Sequence, residues 1–165
     1  MAETFLQEND DLHIDNYTWF GQNRVHLHES ARRGSGGVGV LIHHRLNKNY
    51  ATQVLDNTVE GILWLKLSPK QDKGMPLVVC VCYLPPIDSS SPVDAHDFFD
   101  ELLCQCHKYQ SEGLVLMGGD FNARCGDKSE FIEGVDNIAA RKVIDHKLNK
   151  HGELLLDFMI STNTC

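Results

Sequence analysis

A mixed α/β fold is predicted by three features of the sequence: extended apolar segments, amphipathic helical segments and a length that suits one domain. Five segments have the residue content of strands, namely Tyr17 to Asn23, Val38 to His43, Ile62 to Leu67, Leu77 to Leu84 and Leu114 to Asp120. The second half adds two helical patterns. With 165 residues, 42% hydrophobic and 23% charged, the chain can bury a core as a single domain over residues 1–165.

The predicted strands differ in how apolar they are. The first two are separated by the glycine-rich turn Gly34 to Gly37. The segments Leu77 to Tyr83 and Leu114 to Met117 have apolar residues on both faces, whereas a half-exposed strand alternates apolar and polar residues. We therefore expect both of these strands to lie in the centre of a sheet and to be covered on each side.

The first helix is predicted between Val93 and Tyr109. Phe98, Leu102 and Cys106 recur there at four-residue spacing, which places them on one face of a helix, and Asp94 suits its first turn.

A second helix is predicted from Glu153 to Met159, after a capping sequence at Asn149 to Gly152. Between Arg124 and Lys147 no period is clear. A long irregular segment of this kind is unusual in a compact domain unless it covers a functional surface.

Composition limits the classes of function. The formal net charge of -8 argues against a polybasic, non-specific grip on nucleic acid, so any such contact is expected to be local. There is no apolar segment of membrane-spanning length and no signal peptide, which predicts an intracellular protein without a membrane partner. Of the six cysteines, Cys80 with Cys82 and Cys104 with Cys106 have C-x-C spacing, which favours reduced, buried thiols over a zinc site.

The segment from Leu114 to Asn122 indicates chemistry at the tip of a strand. An apolar segment ends in Gly118 and Gly119, which let the backbone bend or a substrate approach, and then in Asp120 and Asn122. Residues two apart in an extended segment face the same side, so the acid and the amide are expected to point into one site. A carboxylate can orient water or Mg²⁺ and an amide can bind phosphate oxygens, which together suit phosphoryl chemistry.

Several motifs in the same order resemble those of the endonuclease/exonuclease/phosphatase superfamily. The closest similarity is to the endonuclease domain of LINE-type (non-LTR) retrotransposons. The matching segments are Glu3-Thr4, Arg33 to Val40, Val81 to Pro86, Gly118 to Gly126 and Asn149 to Phe158. The resemblance covers nearly the whole chain, and its specificity comes from the order and spacing of these short motifs.

The resemblance implies a four-layer α/β sandwich, in which two packed mixed sheets are flanked by helices, and metal-dependent hydrolysis of phosphodiester bonds. It assigns metal binding to Glu3, phosphate binding to Tyr83, and the positions beside the attacking water to Asp120 and Asn122. Mg²⁺ is the expected cofactor, with Mn²⁺ as an alternative. The expected substrate is DNA, whose nicking exposes a 3′ hydroxyl for reverse transcription, and this places the protein in the nucleus.

Two parts of the family pattern are absent from this sequence: an asparagine-bearing strand before the glutamate, and a Ser-Asp-His motif after the second helix. We therefore expect a partial domain, incomplete at both ends, with activity that is lost or impaired. Asp145-His146 has the letters of the family's terminal dyad but lies in the irregular segment, so we do not expect it to be catalytic.

Alternatives remain open at the level of the sequence. Asp120 and Asn122 could simply turn the chain, Glu3 could be a solvated terminal acid, and Tyr83 a core aromatic. The chain could be a catalytically dead remnant with at most a binding role, or a phosphatase of the same superfamily.

Three arginines, Arg24, Arg33 and Arg45, could contact DNA phosphates or form a solvated face. Target-site specificity and oligomeric state do not follow from the sequence.

Overall fold

The chain forms a mixed α/β structure that divides into two compact units. A computed structural model describes residues 1–6, 10–23, 36–71, 74–89, 93–129, 131 and 142–162. The first unit contains Met1–Tyr83 and Tyr109–Asp120, and the second contains Leu84–Lys108 and Phe121–Cys165. No helix within the described ranges has the length and apolar character needed to cross a membrane.

The first unit contains two sheets and a short helix. The smaller sheet pairs β1, Tyr17–Gln22, antiparallel with β2, Val38–His43, which leads into α1, His44–Asn47. The larger sheet contains β3, β4, β5 and β6 in that order, and their bounds are Tyr50–Asp56, Ile62–Pro69, Leu77–Tyr83 and Leu114–Asp120. Its first two pairings are antiparallel, whereas β5 and β6 are parallel. All five strands expected from the sequence are present, close to their predicted bounds.

The two sheets of the first unit share one apolar core. Its buried side chains come from β2, β4 and β5 and are Val38, Ile42, Leu63, Leu65, Leu67, Val81 and Tyr83. Burial of this kind is the main favourable term in folding. Alternate residues of β5 face this core. Tyr83, the last residue of the strand, is one of them, so packing fixes it at the end of β5.

Strand β3 was not predicted from the sequence. It lies at one edge of the larger sheet and is mostly half-buried or exposed, so its residues lack the apolar pattern that marks an inner strand. A register shift between Val54 and Asp56 also interrupts its pairing with β4. Such an irregularity disturbs the alternation of side chains by which a strand is recognised in a sequence.

The expectation that β6 is a covered central strand is wrong. Among the described residues β6 pairs only with β5, and Leu114 and Leu116 are 63% and 57% exposed. The expectation holds for β5, which lies between β4 and β6 with Val78, Cys80 and Cys82 almost fully buried. Two similar apolar segments therefore occupy different environments.

The second unit contains two helices around an aromatic cluster. Helix α2, Ala95–Tyr109, begins two residues later than predicted, and α3, Lys150–Thr162, extends beyond the predicted helix at both ends. Phe99 of α2 stacks on Phe121, with ring centroids 5.8 Å apart, and lies 6.0 Å from Phe158 of α3. Aromatic pairs at such distances add to the stability gained from burial.

The expectation that Asp94 suits the start of α2 is confirmed, because its side chain caps the helix. Asp94 Oδ1 accepts hydrogen bonds from the backbone N–H groups of Asp97 and His96, at 3.3 and 2.7 Å. These bonds lower the pKa of the Asp94 carboxyl, because they favour its charged form.

Candidate functional site

Tyr83 and Asp120 end two neighbouring parallel strands. They are partners in the register of β5 and β6, so their side chains leave the same face of the sheet, from strands about 4.8 Å apart. Tyr83 is 6% exposed, whereas Asp120 is exposed to solvent. The carboxyl ends of parallel strands are a common place for binding residues, since the side chains there leave a rigid scaffold.

Glu3 joins Tyr83 from a third, distant part of the chain. The Tyr83 hydroxyl donates a hydrogen bond of 2.5 Å to Glu3 Oε1. A short bond to a carboxylate is typical of a charge-assisted contact. Glu3 thus contacts Tyr83, and Tyr83 pairs in register with Asp120, so the three residues lie in the same region of the first unit.

The segment around Glu3 is tied to β2 and is not a frayed end. The backbone N–H groups of Thr4 and Phe5 donate to the carbonyls of Gly37 and Gly36, at 3.3 and 3.0 Å. Glu3 itself has a φ of +52°, a conformation that residues with a side chain rarely adopt. Strained positions of this kind concentrate at functional sites, where the surrounding structure fixes them.

Tyr83 is also fixed through its backbone by residues that the sequence did not single out. Its N–H donates to the carbonyl of Gly61 over 2.8 Å. The N–H of Gly61 in turn donates to Gln22 Oε1 over 2.9 Å, and Gln22 Nε2 donates to the carbonyls of Asn57 and Val59. Gln22, at the end of β1, is thus a positioning residue for Tyr83, and a polar residue at a strand end gives no specific signal of this in the sequence.

The two glycines before Asp120 have different roles. A Cβ added to Gly119 would collide with the backbone carbonyl of Cys82 on β5, whereas one added to Gly118 would meet nothing within 4 Å. Gly119 is therefore required for the close approach of β6 to β5 that places Asp120 beside Tyr83. Gly118 leaves open space on the exposed face of β6.

Asn122 belongs to the second unit and is held differently from Asp120. Its side-chain amide donates to the carbonyl of Leu84 over 2.9 Å, and its φ is +47°. From the sequence, the chain was expected to be extended through both residues. Instead β6 ends at Asp120, and Asn122 has a left-handed conformation. The alternation of side chains along a strand therefore does not set the direction of Asn122.

The first turn of α3 holds the segment from Phe121 to Gly126. Asn149 Oδ1 accepts from the N–H groups of Gly152 and Arg124, at 2.8 and 3.0 Å, and Asn149 Nδ2 donates to the carbonyl of Asn122 over 2.9 Å. A Cβ on Gly152 would collide with the carbonyl of Arg124. The capping sequence Asn149 to Gly152, predicted as a helix start, thus also positions the chain around Asn122.

His151 is a buried polar residue of the same turn. It is 5% exposed, and its Nδ1 has no hydrogen-bond partner within the described residues. Burial lowers the pKa of the imidazole, while hydrogen bonds with the backbone of Phe121 and Asn122 act in the opposite direction. His151 therefore supports the Phe121 to Asn122 segment in its neutral form.

The Asp145-His146 pair does not form a dyad. His146 Nδ1 lies 2.7 Å from Asp127 Oδ1, and Asp145 instead faces Arg124 at 3.6 Å. These side chains are more than half exposed, so their ion pairs have little energetic weight. This geometry agrees with the expectation that the pair is not catalytic.

Of the three arginines that could contact DNA or form a solvated face, Arg45 lies within the described residues. Arg45 is exposed on α1 in the first unit, and its backbone N–H donates to His43 Nδ1 over 3.0 Å. Arg24 and Arg33 lie outside the described residues.

The cysteines that the structure describes are not in disulfides. Cys80, Cys82 and Cys106 are buried, as predicted, whereas Cys104 is exposed. Within the ranges that the structure describes, no group of three or more histidine, cysteine, aspartate or glutamate side chains is arranged to hold a metal ion.

Comparison with known proteins gives no relative for this chain: no family model, curated protein or solved structure matches it. The candidate site is therefore defined by its geometry. Tyr83 and Asp120 end neighbouring strands, and the Glu3 carboxylate contacts the Tyr83 phenol at this end of the sheet. Such an oxygen-rich group can bind a hard cation together with a ligand that supplies further oxygen atoms.

Proposed function

We propose that this protein is a metal-dependent phosphodiesterase, and specifically a DNA-nicking endonuclease of the type found in LINE-like retrotransposons. The observation that carries the proposal is the convergence of Glu3, Tyr83 and Asp120, which come from distant parts of the chain. The resemblance in the sequence assigned a role to each of these residues independently of any geometry. The four-layer sandwich of the endonuclease/exonuclease/phosphatase superfamily is part of the same proposal.

The chemistry proposed for the site follows from its donor atoms. Mg²⁺ is commonly held by one or two carboxylates together with substrate phosphate oxygens and water, so a cluster of two carboxylates is sufficient. Glu3 is the residue proposed to hold the metal, which would polarise the phosphoryl group and stabilise the leaving oxygen.

The remaining residues act on the phosphate and the water. Asp120, which is exposed, would orient the attacking water. The Tyr83 hydroxyl, now bonded to Glu3, would donate to a phosphate oxygen once Glu3 binds the metal. For Asn122 the resemblance alone suggests a role as a donor to phosphate oxygens of the substrate.

A plasmid-nicking assay tests the proposal. The chain is incubated with supercoiled plasmid and Mg²⁺ or Mn²⁺, and the open-circular product is measured over time. We expect impaired, slow nicking that EDTA abolishes. Asp120→Ala should reduce the rate by about 100-fold or more, and Tyr83→Phe by about 10-fold or more, since these changes remove a water-orienting group and a phosphate donor.

The matched control is Asp100→Ala, because Asp100 is also an exposed aspartate but belongs to α2 in the second unit and has no role in the proposed site. It should nick at the rate of the unmodified protein. Equal loss in Asp100→Ala and Asp120→Ala would contradict the assignment of the site. Mg²⁺-dependent DNA binding without nicking would support the alternative of a binding-only remnant, and release of inorganic phosphate from inositol phosphates would support a phosphatase.

A further inference from the structure

Strand β6 lies at the edge of the larger sheet, and its apolar side chains on the core-facing side are not covered by the smaller sheet. Leu114, Leu116, Gly118 and Asp120 lie in register with the core-facing residues of β5 but are all exposed. In the part of the chain that the structure describes, no strand pairs with the other side of β6. A long apolar edge strand without a lysine or proline is a template for pairing with another strand.

The hydrogen bonds of β6 show which backbone groups face this edge. The N–H of Leu114 donates to the carbonyl of Pro76, immediately before β5, over 2.8 Å. Because backbone groups alternate along a strand, Leu114, Leu116 and Gly118 use their N–H and C=O groups toward β5. Val115, Met117 and Gly119 therefore present theirs to the free edge.

We propose that this edge pairs with β6 of a second copy of the chain, antiparallel about a two-fold axis at Met117. Met117 is the middle residue of the seven-residue strand, so this axis pairs β6 along its whole length. It places Met117 opposite Met117 of the second copy, and Val115 opposite Gly119 of the second copy. All three outward-facing residues then form hydrogen-bonded pairs, as an antiparallel ladder requires.

Charge favours this register over the one with the axis at Leu116, in which each residue lies opposite a partner two positions earlier. With the axis at Met117, the only charged residue of the strand, Asp120, lies opposite Leu114 of the second copy. An axis at Leu116 would place Asp120 opposite Glu112 and would leave Gly119 without a paired residue. Like charges directly opposite each other destabilise a strand pair.

The surface shape fits the same register. A cleft of about 310 Å³ runs along β5 and β6, and Val79, Val81, Leu116 and Gly118 are among its lining residues. It is open at Gly118, where an added Cβ would meet nothing within 4 Å. With the axis at Met117, Leu116 of the second copy lies opposite Gly118 and covers this gap. By symmetry, Leu116 of the first copy also lies opposite Gly118 of the second copy, so the same leucine–glycine pair occurs on both sides of the axis.

The proposed dimer does not depend on the proposed nuclease activity, and its test uses no substrate. Sedimentation velocity of the full chain over a range of concentrations should show a species of about twice 18.6 kDa that dissociates on dilution. Hydrogen exchange at high concentration should slow at the amides of Val115, Met117 and Gly119 relative to low concentration. A chain that stays monomeric at about 1 mM, with unchanged exchange at these amides, would overturn the proposal.

Two lysine variants test the register. Leu116→Lys replaces an exposed leucine by a charge opposite Gly118 and should raise the dissociation constant of the dimer about 30-fold or more, since two leucines lose their burial. Leu114→Lys makes the same change at a similarly exposed position, but the lysine falls opposite Asp120 of the second copy. It should leave the dimer intact.

Equal dissociation in both variants would contradict the register, and an intact dimer in Leu116→Lys would show that the interface lies elsewhere. The circular dichroism spectrum and the melting temperature of each variant verify that it folds. If a variant does not fold, the hydrogen exchange of the unmodified chain still decides whether the β6 edge is paired.

Discussion

Asp120 and Asn122 are two residues apart in the sequence but are held by different parts of the molecule. Asp120 ends an edge strand, where its position depends on the pairing of β6 with β5. Asn122 follows in a left-handed conformation and is held by Leu84 and by the first turn of α3. The acid is therefore positioned by a sheet and the amide by a helix cap. This difference predicts that each can be disturbed without the other.

The largest effect is expected at Gly119, which holds the Asp120 side of the pair. Gly119→Ala introduces a Cβ that collides with the Cys82 carbonyl, so β6 must move away from β5. We expect a loss of about 3 kcal/mol in the free energy of unfolding, and faster hydrogen exchange along β6. The measurement is chemical denaturation combined with exchange at individual amides.

Gly118→Ala is the matched control, since it makes the same change one residue earlier, where a Cβ meets nothing within 4 Å. Its free energy of unfolding should stay within about 0.5 kcal/mol of the unmodified chain. Equal destabilisation by the two variants would show that the cost comes from glycine flexibility and not from the approach of the two strands. Faster local exchange in the first turn of α3 of Gly119→Ala would also contradict the comparison, because this change should not reach the helix cap.

A smaller effect is expected at Asn149, which holds the Asn122 side. Asn149→Ala removes the acceptor for the N–H groups of Gly152 and Arg124 and the donor to the Asn122 carbonyl. Loss of such a cap costs about 1 kcal/mol. Exchange should rise at Arg124 and in the first turn of α3 and stay unchanged in β6.

Asn149→Asp sharpens this prediction, because it keeps the capping oxygen and loses only the donor to Asn122. A negative charge is also favourable at a helix start. We therefore expect a smaller loss of stability than in Asn149→Ala. If the two variants lose the same stability, the contact with Asn122 and not the cap is the important one.

Some of this arrangement could be predicted from the sequence because it is local. The strands at Val38 to His43 and Leu114 to Asp120 follow from short apolar patterns, and the start of α3 follows from the capping residue Asn149. Glu3 and Tyr83 were expected in one site only because the resemblance assigns both a role. No local pattern links them, since they are 80 positions apart. The positioning role of Gln22 could not be predicted, because its partners are backbone groups near Gly61.

The environment of β6 could not be predicted for a different reason. An apolar pattern records which side chains can be buried, but not which neighbours are present to bury them. Strands β5 and β6 have similar patterns, and only the order of strands in the sheet distinguishes the inner one from the edge. In the same way, strand alternation predicted a common direction for Asp120 and Asn122, but it holds only while the backbone stays extended.

The smallest effect is expected from the protonation of His151, on the helix side of the comparison. Burial lowers its pKa below the ordinary 6.5, so below that pH the unfolded chain takes up a proton that the folded chain resists. The unfolded state then binds more protons, and stability falls as the pH falls from about 7.5 to about 5.5. His151→Gln keeps an N–H donor for the backbone of Phe121 and Asn122 but does not titrate, so its free energy of unfolding should fall less over the same range. Hydrogen exchange should locate the difference in α3 and the Phe121 to Gly126 segment. The same pH dependence in both proteins would mean that another group titrates, and a difference centred on β6 would mean that Asp120 and Asn122 are not held separately.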